Sequence, residues 1–317
     1  MTVVAPQAPS NRTPLRAPLP APHAPAEQPA PATSLGLLGA HVSAAGGVPE
    51  AAARAKALGP TAMQLFTKQA SRWAERECAD DECIAFRAAI ATTDVRRIAA
   101  HDSYLINLAS PDPVLHARSL ASFIAELRRS EALGIDYIVS HPGNYMDDRA
   151  SGLARNIDAL ATALEQAPGR VMVLMETTAG AGTGLGATFE EIAALAEGVP
   201  RSLRDRMGVC ADTCHVFAAG YDLAGDYDGV WARFGDVVGF GRLHMMHLND
   251  SKFGLGTHRD RHELIGEGHL GEGVFRRLMT DPRLAAVAKV IETPKGDDAT
   301  VTDGRMLARL RSYAARG

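Results

Sequence analysis

The stretch MGVCADTCH, residues 207–215, opens as a short apolar run and closes on metal-capable side chains, Asp212 and then His215. Its apolar part, 207–211, is too short for a core helix and suits a strand buried on both faces, as in a parallel sheet. The same pattern recurs along the chain. Runs at 35–40, 62–66, 97–100, 137–140, 171–175, 243–248 and 287–291 raise the strand count to eight. Segments with helical spacing lie between them, among them 48–58, 114–133, 153–166, 189–196 and 229–234. Asp112 and Pro113 supply an N-cap and first-turn proline to the second of these. Eight strands, each followed by helix, in about 280 residues predict a (β/α)8 TIM barrel, with a doubly wound open sheet as competitor.

The strand ends decide between them. His41, His101, His141, Glu176, Asp212, His247 and Glu292 stand at the same end of seven of the eight runs. In a barrel those ends converge on one mouth, whereas in an open sheet they are strung along an edge. His244 and His247 are three apart, so in a regular strand they face opposite ways, and His247 is the one nearer the mouth. Asp260 and His262 alternate around Arg261, so an extended loop turns both toward one side. His23, His116 and His269 lack such placement and read as structural or solvated.

Nine candidate ligands result: His101, His141, Glu176, Asp212, His215, His247, Asp260, His262 and Glu292. Imidazole and carboxylate without thiolate suit Zn2+, Mn2+ or Fe2+ in catalytic sites, and nine donors are enough for two or three ions. Such clusters activate water and neutralise phosphoryl charge, which makes a phosphodiester the natural substrate. Cys78, Cys83, Cys210 and Cys214 form no disulfide framework, lack the paired spacing of structural zinc sites and fit a reducing cytoplasm.

The chain has 317 residues, 46% of them hydrophobic and 22% charged, enough for one large domain over 35–317. Residues 1–34 carry nine of the 18 prolines, interleaved with alanine, and read as a disordered tail rather than a transit peptide. A net charge of −4 excludes a wholesale basic coat, though not a local basic patch. No apolar run reaches the length of a membrane span, and no signal peptide is expected.

The segments GAHVSAAGG (39–47), HDSYLINLASP (101–111), HPGN (141–144), ETTAGAG (176–182), GVCADTCHVFAAGYDL (208–223), MHLNDSK (246–252), DRHELIGEGHLG (260–271) and ETPKG (292–296) resemble, in order, the motif series of the endonuclease IV family. These are zinc-dependent apurinic/apyrimidinic endonucleases of base-excision repair. The resemblance implies a barrel with three zinc ions. Glu176 would bridge two of them, His101 and His141 completing the first, and Asp212, His247 and Glu292 the second. His215, Asp260 and His262 would hold the third, leaving Cys210 and Cys214 unliganded. It further implies hydrolysis 5′ of an abasic site, leaving a 3′-hydroxyl and a 5′-deoxyribose phosphate, with trimming of blocked 3′ ends. The partner would be duplex DNA, bent and with the damaged nucleotide flipped out, and the protein a cytoplasmic monomer. Candidate DNA contacts are His41, Lys68, Arg72, Tyr104, Leu105, Lys252 and Arg261. One departure falls in the loop TKQASRW (67–73), where many members carry arginine at the position of Ser71 and this chain has Arg72 next to it.

Three rival readings fit the residues less well. A two-metal sugar isomerase on a related barrel does not need the His215, Asp260 and His262 triplet. A dinucleotide oxidoreductase would use Gly182, Gly184 and Gly186, but that match lies in the fifth unit and leaves the histidines unexplained. A non-catalytic DNA-binding scaffold predicts lost ligands, and none is lost.

Overall fold

The computed structural model describes residues 36–315. The expected tail over 1–34, with His23, lies outside them. Eight parallel strands close into a barrel: β1 (Leu37–His41), β2 (Ala62–Leu65), β3 (Arg97–His101), β4 (Tyr137–Ser140), β5 (Met172–Glu176), β6 (Met207–Asp212), β7 (Leu243–His247) and, after a small hairpin, β10 (Ala288–Ile291). The hairpin is β8 (Asp250–Ser251) against β9 (His262–Glu263). β1 pairs with β2 on one side and β10 on the other, so the ring has no edge and the open-sheet alternative falls. Closure depends on Gly39, where a Cβ would lie 1.6 Å from the Ala62 carbonyl oxygen; only glycine lets β1 and β2 approach there.

Nine helices wrap the described residues: α1 (Val48–Leu58), α2 (Asp80–Ile90), α3 (Pro113–Leu133), α4 (Arg149–Gln166), α5 (Phe189–Gly198), α6 (Thr213–Ala218), α7 (Tyr227–Val237), α8 (Gly271–Thr280) and α9 (Ala299–Ala314). Asp112 caps α3 as its spacing predicts, accepting hydrogen bonds from the Val114 and Leu115 amides. Among the described residues no helix is long and apolar enough to cross a membrane.

Side chains alternate along the strands with period two. Ala62, Ala99, Val139, Leu174, Cys210, Met245, Ala288 and Val290 fill the barrel interior. Met63, Ile98, Ile138, Val173, Val209, Met246 and Ile291 pack outward in the larger cluster that includes the helices' apolar faces. β7 breaks the alternation. The register with β6 shifts so that Val209 faces Leu243 but Cys210 faces Met245, leaving His244 as an extra residue. The expectation that His244 and His247 face opposite ways is therefore corrected. His244 also turns inward, near Gly208 and Leu174 and 5.9 Å from the Tyr137 ring, while His247 reaches the mouth.

A candidate metal centre at the barrel mouth

Parity delivers the ligands. One position past the last outward-packed residue, an inward side chain stands at or just past the C-terminal ends of β3, β5, β6, β7 and β10: His101 after Ala100, Glu176 after Met175, Asp212 after Ala211, His247 after Met246 and Glu292 after Ile291. His141 follows β4 in the same phase. His215 sits on the first turn of α6, whose N-cap is Asp212 itself, accepting from the His215 amide at 3.0 Å. Asp260 and His262 come from the β8–β9 hairpin folded over the mouth.

The nine side chains gather into three groups whose donor atoms lie within 4.8 Å of one another: His101, His141 and Glu176; Glu176, Asp212, His247 and Glu292; and His215, Asp260 and His262. Glu176, fully buried, belongs to two of them through different oxygens. Its Oε2 lies 3.2 Å from His101 Nε2 and 3.0 Å from His141 Nε2, and its Oε1 lies 2.9 Å from His247 Nδ1. Asp212 Oδ2 stands 3.8 Å from His247 Nδ1 and 3.5 Å from His262 Nε2, at the border of the second and third groups.

Several features fit cations in these groups. The Nδ1 atoms of His101, His215 and His262 face main-chain carbonyl oxygens of Asp102 (2.9 Å), Thr177 (2.8 Å) and Glu292 (3.2 Å). Each must donate there, which fixes the tautomer and turns a bare Nε2 toward the cluster, as metal-binding imidazoles require. The buried Nε2 atoms of His215 and His262 make no hydrogen bond but face Asp260 Oδ2 at 3.2 Å and Oδ1 at 3.4 Å, and acceptors facing one another in this way suit a cation between them. Burial pulls the His101 imidazole down, yet the Glu176 carboxylate outweighs it and pushes the group up to about 9. Burial likewise favours a neutral Glu176, but His247 and His141 hold its carboxyl well below the usual range. The cluster therefore has the charge pattern of carboxylates seeking cations.

Cys214 also lies close to Asp212 and His262. Burial pushes its thiol, and that of Cys210, up to about 12, which disfavours the thiolate a metal needs. Cys214 Sγ donates to the Arg261 carbonyl at 3.6 Å. All four cysteines are free thiols.

Three positioning residues escaped sequence reasoning. Gln64 Nε2 donates to Glu292 Oε1 at 2.6 Å, and its Oε1 accepts from His247 Nε2 at 2.9 Å, so it aligns two ligands. Asn249 Nδ2 donates to Asp212 Oδ2 at 2.7 Å, while its Oδ1 accepts from the Glu292 amide at 2.9 Å. Thr177 Oγ1 accepts from the Asp212 amide at 2.9 Å. The available signal was Gln64 itself, an amide in mid-strand of an otherwise apolar run.

The seven candidate DNA contacts separate. Tyr104 is 65% exposed on the rim, its ring 5.2 Å from Phe66, with Leu105 half-buried beside it. Arg72, Lys252 and Arg261 are exposed. One assignment is corrected. Lys68 is buried, its ammonium donating to Glu75 Oε1 (2.7 Å), Ser122 Oγ (3.2 Å) and the Arg72 carbonyl (3.1 Å), so it is not free to meet a phosphate. His41 is half-buried with Nδ1 3.0 Å from Glu292 Oε1, so it braces a candidate ligand.

Residues 52–310 match the family model described as xylose isomerase-like TIM barrel. The chain is 45% identical over 279 residues to a protein named probable endonuclease 4 in Chloroflexus aggregans, covering 86% of this chain and 96% of that one. A protein of the same name in Trichlorobacter lovleyi is 45% identical, with 87% and 98% covered. Among solved structures, endonuclease IV from Thermus thermophilus superposes with a TM-score of 0.80 at 36% identity, covering 89% of this chain and 100% of that one.

Proposed function

This chain belongs to the endonuclease IV family and is a nuclease, and from that premise we propose that it hydrolyses the phosphodiester 5′ of abasic sites in duplex DNA, through three zinc ions, in base-excision repair. The products would be a 3′-hydroxyl and a 5′-deoxyribose phosphate, and blocked 3′ ends would be trimmed by the same chemistry. The observation that carries this reading is the placement of Glu176, each of whose oxygens faces a different group of candidate ligands.

His101, His141 and Glu176 would hold one ion, Glu176, Asp212, His247 and Glu292 a second, and His215, Asp260 and His262 a third. Nitrogen and oxygen donors in open groups of this size suit zinc, with Mn2+ or Fe2+ as substitutes. Bound ions would lower the pKa of water and neutralise charge on the phosphoryl oxygens in an in-line displacement. The chain's own residues then have distinct tasks. Gln64, His41 and Asn249 keep Glu292, His247 and Asp212 aimed inward. The backbone carbonyls of Asp102, Thr177 and Glu292 set the imidazole tautomers. Tyr104 and Leu105 on the rim, with Arg72, Lys252 and Arg261, would meet the duplex, a role their exposure supports. The third group argues against a two-metal isomerase reading on the same fold.

The test is nicking of an abasic oligonucleotide by the metal-loaded chain, alongside elemental analysis. Glu176→Gln keeps the shape but removes the charge, so nicking should fall by about three orders of magnitude or more, with the circular dichroism spectrum retained. Unchanged nicking by this variant, or fewer than two ions per molecule, overturns the reading.

A further inference from the structure

Beside the mouth, a balanced set of largely buried charges ties α3 to the segment linking β2 and α2. Residues 67–78 form no helix or strand. The one main-chain to main-chain hydrogen bond within them is the turn from Arg72 N to Gln69 O, 3.1 Å. Such a segment has no ladder to order it, and its backbone entropy must be offset by side-chain contacts.

Those contacts come mainly from α3. Arg129 donates from Nε to Thr67 Oγ1 at 2.7 Å and from Nη1 to both Glu75 Oε2 (3.1 Å) and the Arg76 carbonyl (2.9 Å). One guanidinium thus pins both ends of the segment. Glu126 accepts from Thr67 and from Arg129 Nη2. Lys68 reaches back to Ser122 and Glu75 and clasps the Arg72 carbonyl from inside. Lys68, Arg129 and Glu126 are buried, and with Glu75 they make two cations against two anions. At the tip, Ser103 Oγ donates to the Ala70 carbonyl at 2.5 Å, and Arg118 of α3 stacks 4.5 Å over the Trp73 ring. Gln69, Ser71 and Arg72 are left exposed beside Tyr104 on the rim.

A charge quartet with three buried members and Glu75 at the surface is weak evidence for stability, because apolar side chains of similar volume often serve as well or better. Its distinctive capacity is directional: hydrogen-bonded charges favour one conformation for a segment with no backbone ladder. We propose that Arg129, Glu126, Lys68 and Glu75 are positioning residues for duplex recognition, holding loop 67–76 so that Gln69 to Trp73 is preset against damaged DNA before it binds. The inference rests on the proposed abasic-site reading, and within it assigns the loop's order to α3 rather than to contact with substrate.

The test uses the full metal-loaded chain and three variants: the charge-balanced pair Arg129→Met with Glu126→Leu, Arg129→Lys, and the tip variant Arg72→Ala. For the balanced pair we expect amide exchange over 67–78 to quicken about tenfold or more. KM for abasic duplex should rise about tenfold while kcat stays within about twofold, because substrate then bears the ordering cost. Arg129→Lys keeps the charge but cannot span Thr67 and Arg76 together, so it should give a smaller rise and guards against misfolding of the pair. Arg72→Ala should raise KM without changing exchange elsewhere in the loop. If Arg72→Ala weakens binding but the α3 variants leave exchange and KM unchanged, the positioning role is overturned while the recognition reading stands. If Arg72→Ala leaves KM unchanged, the loop's contact with DNA fails, and the positioning role with it. Loss of nicking at saturating substrate in the α3 variants, with metal content intact, also counts against it.

Discussion

Glu176 and Gln64 show how differently two inward-facing residues can be read. Glu176 ends an apolar run and has a metal-capable carboxylate, so its place is evident from the string alone. Gln64 faces the same cavity in the same phase, yet an amide is no zinc ligand, and its role appears only once His247 and Glu292 are seen on either side of it. Partners that orient ligands tune metal affinity by about 10- to 100-fold. Gln64→Ala should therefore weaken zinc retention at the second group by about that factor, measured by competition with a chromophoric chelator. Retention equal to the parent's would remove Gln64 from the centre. The Lys68 correction has the same logic in reverse: a lysine in a polar loop looks solvated, but three hydrogen-bonding groups converge on its ammonium in the folded chain.

Elements were legible where burial imposes a period. The expected strand over 137–140 and helix over 48–58 match β4 and α1 to the residue. The other barrel strands differ from their expected runs by one or two residues at an end, several because the candidate ligand is itself the last residue of the strand. α6 had no periodic signal, since all six of its residues are buried. The bulge at His244 was invisible because nothing local marks it. β10 carries an oddity of its own. Lys289 points outward from the barrel but is buried beneath the helix layer, its ammonium donating to the Leu284 and Val287 carbonyls. Burial pulls it down to about 8. Because the folded state loses this proton before the unfolded chain does, stability should rise as pH climbs from about 8 to about 10.5, by up to about 3 kcal/mol. Lys289→Met should flatten that rise in urea melts across the window. An identical slope in both proteins would refute the assignment.

For the whole molecule, the mouth is where the barrel gathers negative charge and where cations would relieve it. Ligands that bind only the folded state stabilise it by mass action. Stripping metal with a chelator should lower Tm by several degrees, and restoring zinc should reverse the loss; calorimetry with no shift would argue against a built metal centre. The chain's net charge is negative, so binding to DNA must rely on local cations at the rim. Replacing Lys252 or Arg261 by alanine should each reduce the slope of log Kd against log salt by about 1. An unaltered slope would remove that residue from the interface.

Read alone, the sequence determined the barrel, the end at which its chemistry sits and all nine metal-capable side chains gathered there. Six of the nine follow from a short-range rule, in which the residue closing a buried apolar run inherits the inward phase, while His215, Asp260 and His262 were marked by their spacing outside the strands. Tertiary structure alone decided which donors share a group, that Gln64 and Asn249 aim them, that His244 turns inward through a bulge, and that Lys68 braces a loop from within. Each of those outcomes depends on atoms far apart in the chain, and the distance between them is set only when the ring closes.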